Sequence, residues 1–266
     1  MLEAYGSLGI VAGIAQAIYL GAAFFLSLHL LLRAHYSREL PQLLLGLHLL
    51  LAMGFGYLLC STGIAIAELS ENPPPGLVGP LVGAGYAATI FGLMAALLFN
   101  HRVFRPNQHW PLALIFLAST AMWLGWAGYG LSGGFATARF DGFWLWLMLV
   151  GMLATNGWVG IEPLLYHAQL RKRMRLGLAD PLVADRFLLW GSGSLARAAM
   201  ILLGPFGALW LGAVGPAAEA QVAAAVLCGA SVLGLFTSVA YWLTFCPTQG
   251  YRNWVARRYA RVVAQS

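Results

Sequence analysis

Between Ser7 and Phe245 the chain passes through seven long apolar segments, with too few charged residues among them for water to be their surroundings. A helix that crosses the hydrocarbon core of a bilayer needs about 20 mostly apolar residues. The segments that meet this run from Ser7 to Leu32, Pro41 to Ala67, Leu77 to Phe99, Pro111 to Leu131, Gly142 to Tyr166, Phe187 to Val214 and Gln221 to Phe245. Charged residues make up 9% of the chain, against roughly 25% in ordinary soluble domains. That is too little polar material to coat a soluble core. The expected fold is therefore all-α: an integral membrane protein with a single bundle of seven transmembrane helices over residues 1–246 and a cytoplasmic tail at 247–266. Met1 to Gly6 carry Glu3 and no Lys or Arg, so the first apolar run reads as a spanning helix rather than a cleaved leader.

Charge sorts the connectors into two sets. One set holds Arg33 and Arg38, Arg102 and Arg105, then Arg171, Lys172, Arg173, Arg175 and Arg186, and in the tail Arg252, Arg257, Arg258 and Arg261. The other holds Glu3, Glu68, Glu71, Asp141 and Glu219, with Arg139 its one basic residue. Basic residues stay on the cytoplasmic side, which predicts an outside N-terminus and an inside C-terminus. The net charge of +6 is thereby explained by orientation, and nucleic acid is not expected as a partner. A chain rich in Ala, Gly, Leu and Arg, with Lys172 its only lysine, suggests a GC-rich bacterial source and an inner (cytoplasmic) membrane.

After the last span, Tyr251, Trp254, Val255, Tyr259, Val262 and Val263 fall near one helical face, with arginines beside and behind them. This predicts a short basic amphipathic helix on the inner leaflet. The fifth span is expected to continue through Arg175, with Gly177 as its C-cap. Arg171, Lys172, Arg173 and Arg175, together with Arg257 and Arg258, are candidates for contact with anionic headgroups or for docking a cytoplasmic partner.

The candidate polar core consists of Arg197, Glu162 and Asn156. Arg197 lies eleven residues beyond Arg186, about 16 Å along a helix axis and so near the bilayer midplane. A charge there is costly and is expected to face the bundle interior with a partner or a ligand. Glu162 precedes Pro163, which removes a helical hydrogen bond and frees the Val159 carbonyl. Asn156 lies about one and a half turns from Glu162, at the depth expected for Arg197 on the neighbouring antiparallel span. The expectation is one Asn156–Arg197–Glu162 cluster. His29 and His48 face each other across a short hairpin at matching depth and are secondary candidates for a metal or haem pair, although their spacing fits no metal motif.

No cofactor is expected. Retinal needs a lysine inside the bundle, and Lys172 falls in a loop. No phosphate-binding loop, zinc-protease motif or other recognisable catalytic signature occurs, and the chain does not read as an enzyme. The span count equals that of seven-helix receptors, a likeness of topology alone. The leading expectation is a sensor or receptor-like module that binds a small or lipid-borne ligand and signals to a cytoplasmic partner. The alternatives are a small-molecule or proton-coupled transporter, a subunit of a larger membrane complex, and a haem or metal membrane protein. Membrane lipids are the expected surroundings in every case.

Overall fold

Inside lipid every backbone N–H and C=O must be satisfied within the protein, and helices do this segment by segment. The computed structural model describes residues 2–70, 76–137, 142–174, 176–213 and 216–264, and all regular structure among these is helical. Helix α1 is Leu2–Ser37. Helix α2 is continuous but changes pitch: α-helical over Leu40–His48, π-helical over Leu49–Phe55 and α-helical again over Gly56–Leu69. Then follow α3 (Val78–Phe104), α4 (Trp110–Leu131), α5 (Phe143–Met174), α6 (Pro181–Ala213), α7 (Pro216–Phe245) and α8 (Gln249–Ala264). Seven of these, α1 to α7, are long and apolar enough to cross a membrane. The chain is a polytopic helical membrane protein.

Local chemistry sets the turns. Pro41 sits in the first turn of α2, where its missing N–H costs nothing. Gly177 adopts φ +69° after α5, with Leu178 N–H bonded to the Arg173 carbonyl and Gly177 N–H to the Met174 carbonyl, each at 3.0 Å. That crossed pair is the Schellman closure expected of a C-cap glycine. Helix α6 begins at Pro181, six residues before the start read from hydropathy, because Asp180 caps it: its carboxylate accepts the Leu182 N–H at 2.8 Å. Glu71, Arg139, Asp141 and Arg175 lie outside the described residues.

Helices α1, α2, α3, α5, α6 and α7 pack in that order into a closed ring, with α7 returning against α1. Helix α4 lies outside the ring, against α3 and α5. Small residues set the tightest approaches. A Cβ on Gly92 of α3 would come within 2.6 Å of the Ala52 nitrogen, and one on Gly85 within 2.6 Å of the Cys60 nitrogen, so α2 and α3 touch backbone to backbone. Gly160 of α5 and Gly191 of α6 meet likewise, each Cβ position lying within 3.1 Å of the other's carbonyl oxygen.

One half of the ring is filled. Leu26 and Leu30 of α1, Leu45 and Leu49 of α2, Ala96 and Phe99 of α3, Val159 of α5, Trp190 of α6 and Tyr241 of α7 form a single buried cluster. A second cluster, from Ile90, Leu93, Met122, Leu145 and Met148, joins α4 to the outside of α3 and α5. Helix α8 folds back onto the bundle. Its Val255 and Tyr259 are buried against Leu170, Met174 and Ala184, and the Tyr251 hydroxyl donates to the Asp185 carboxylate. Burial and the neighbouring Asp185 both push the Tyr259 phenol above its usual range. The apolar stripe of this helix is thus divided: Val255 and Tyr259 pack on protein, while Trp254 stays exposed with the Arg258 guanidinium 5.2 Å from its ring centre.

Candidate functional site

The other half of the ring surrounds a half-open cavity of about 270 Å³. All six ring helices contribute to its wall: Tyr19 from α1, Tyr57 and Cys60 from α2, Tyr86 and Thr89 from α3, Met152 from α5, Met200 from α6 and Val226 from α7, among others. Arg197, at the middle of α6, also lines it. Among the described residues the wall is otherwise uncharged, mixing thioether, thiol, aliphatic, hydroxyl and phenol groups. Toward the far end of α6 the wall includes Ile201 and Pro205. Proline has no N–H, so the Ile201 carbonyl lacks its usual helical donor.

Arg197 is 3% exposed. Its Nη1 donates to Nε2 of His48 at 3.1 Å. Nδ1 of the same ring lies 3.0 Å from the Gly92 carbonyl. A carbonyl oxygen only accepts, so Nδ1 carries the proton and Nε2 presents its lone pair to the guanidinium. The close approach at Gly92 brings that carbonyl to the histidine. Tyr19, 2% exposed, lies in the field of the same guanidinium, as does Tyr241, whose hydroxyl is paired with Ser194 at 2.9 Å. The Tyr19 hydroxyl completes no hydrogen bond of good geometry among the described residues. Arg197 is therefore surrounded by neutral groups. Among the described residues the one ion pair is elsewhere, between Arg105 and Glu162.

That pairing corrects the expected Asn156–Arg197–Glu162 cluster. Glu162 accepts from Nε of Arg105 at 2.9 Å and from the Trp158 indole at 3.3 Å. Arg105 caps the end of α3, so the carboxylate is anchored near the bundle's basic end rather than at the depth of Arg197. The Asn156 amide turns back on its own helix, donating to the Met152 carbonyl at 2.8 Å. Each of the three residues is buried, but each has a different partner. The His29–His48 pair does not form either: His29 is exposed beside Phe25, whereas both ring nitrogens of His48 are engaged inside. Among the described residues no group of three or more His, Cys, Asp or Glu side chains is placed to hold a metal.

No family model, curated protein or solved structure matches the chain.

At the basic end, Arg171, Lys172, Arg173, Arg257 and Arg258 are exposed; Arg175 lies outside the described residues. Sequence reasoning singled out Arg197 but missed His48 as its partner and Tyr19 as its neighbour. A signal for His48 was present: an imidazole well inside a long apolar span, which needs partners for both nitrogens. Nothing in the periodicity of one helix says which residue of another it will face.

Proposed function

We propose that the protein is a membrane-embedded, receptor-like ligand-binding module, with the ligand in the ring cavity and its electron-rich end on Arg197. One observation carries this reading: a buried guanidinium lines a cavity with no carboxylate beside it among the described residues. A charge withdrawn from water without a counter-charge is costly, and a single hydrogen bond to a neutral imidazole offsets only part of that. A ligand that supplies the missing negative charge would be stabilised strongly there. The cavity lies in the half of the bundle that charge sorting assigns to the outside, and the basic end carrying α8 then faces the cytoplasm. In this reading the ligand is small or lipid-borne, the membrane is a bacterial inner membrane, and the basic end meets anionic lipid or a signalling partner.

Native mass spectrometry of gently purified protein tests it. The expected result is a co-purifying small anion that is lost in Arg197→Gln and retained in Arg105→Gln. A bound molecule that persists in Arg197→Gln would overturn the assignment of the site. Flux of a solute into proteoliposomes, abolished by Glu162→Gln, would overturn the receptor reading in favour of a carrier.

A further inference from the structure

The charge count and the size of the cavity narrow the ligand further, and this step rests on reading the cavity as a ligand site. We propose that the ligand is a monocarboxylate with an apolar body, of about ten non-hydrogen atoms in all. The argument starts from charge. Arg197 is the one charged residue in the cavity wall among the described residues. A single negative charge balances it, whereas a phosphate monoester would bring a second charge with nothing to face it.

Geometry agrees. Of the five guanidinium N–H groups, one is given to His48. The His48 ring is itself held by the Gly92 carbonyl, so it fixes the guanidinium while other N–H groups remain for a planar carboxylate. Two-point recognition of that kind is what arginine does better than lysine. The buried Tyr19 hydroxyl faces the same guanidinium, and its own O–H is one more donor there.

Size comes from volume. An engineered apolar cavity of about 150 Å³ takes benzene. A cavity of about 270 Å³ then suits a molecule nearly twice as large. The wall beyond Arg197 is apolar over Met200, Leu203 and Val226, a face that suits an alkyl or aryl body.

The test compares probes of one body and different heads by calorimetry on the full-length protein in nanodiscs: octanoate, octanol and octyl phosphate, with palmitate as a long acid. Each is titrated into wild type, Arg197→Gln, Arg197→Lys and the cavity-filling variant Ala230→Phe. Octanoate is expected to bind about tenfold or more tighter than octanol, the worth of a charge-assisted contact. Arg197→Gln should level the two, Arg197→Lys should keep part of the preference, and Ala230→Phe should remove both. Octanol matching octanoate, with both lost in Ala230→Phe, would overturn the carboxylate while the cavity reading survives. Tighter octyl phosphate would overturn the single-charge argument, and tighter palmitate would overturn the size limit and mark the ligand as a membrane fatty acid. No binding by any probe, or binding unaffected by Ala230→Phe, would bring down the cavity reading together with the proposal.

Discussion

Arg197 and His48 depend on each other through the proton on Nδ1 of His48. The Gly92 carbonyl holds the proton on Nδ1, and only then does Nε2 offer a lone pair to the guanidinium. His48→Ala would leave one N–H of Arg197 unpaired and the Gly92 carbonyl with its helical donor alone. The expected cost is about 1–3 kcal/mol, read as a lower thermal midpoint in detergent. Glu162→Gln keeps an oxygen for the Trp158 indole but loses the charge opposite Arg105. Because the Arg105 side chain is 32% exposed, the loss should stay near 1 kcal/mol. A double-mutant cycle should show coupling between Glu162 and Arg105. The cycle between Glu162 and Arg197 should close to within about 0.5 kcal/mol, as for residues without shared partners. At this scale the sequence told which polar residues were out of place, because a charge in an apolar run is visible by itself. It did not tell their partners, because depth along one helix leaves open which neighbour it faces, and Arg105 reads as one more basic residue of a connector.

Helices α2 and α3 approach each other more closely than side chains normally allow. Gly92→Ala places a methyl carbon 2.6 Å from the Ala52 nitrogen. Backbone cannot yield as a side chain can, so α2 must shift. The expected destabilisation is about 1–3 kcal/mol, with loss of ligand retention because the carbonyl that orients His48 moves too. Gly79→Ala is the contrasting case on the same helix: its new carbon would sit 3.6 Å from Ala136, an ordinary contact. Its thermal midpoint should match that of wild type. The π-helical stretch over Leu49–Phe55 follows directly on His48 and includes Ala52. Such stretches are rare and gather at functional sites. Its sequence, Leu-Leu-Leu-Ala-Met-Gly-Phe, reads as ordinary helix, since a wider helical turn leaves no mark on so uniformly apolar a run. The Gly177 cap and the length of α5 were legible, because both are fixed by residues close in sequence.

For the molecule as a whole, seven spans could be counted from hydropathy alone, since lipid leaves a chain of this composition few other options. The ring could not: nothing in the apolar run of α4 distinguishes it from the helices that line the cavity. The seat of α8 on the bundle was also hidden, because its apolar stripe would serve a leaflet or a protein surface equally well. Val255→Asp tests that seat. A carboxylate at this buried position has no partner, and hydrogen exchange over residues 249–264 should rise sharply while the ring helices keep their protection. The ring itself is hollow in one half and plugged in the other by Leu26, Leu49, Phe99, Trp190 and their neighbours from every ring helix. It has the shape of a cup, not a pipe. A ligand on Arg197, as proposed, would have to leave by the way it came, unless rings as large as those of Phe99 and Trp190 swung aside together. If the proposed ligand site holds, a cup of this shape fills and empties from one side, so its occupancy follows a concentration rather than carrying a current.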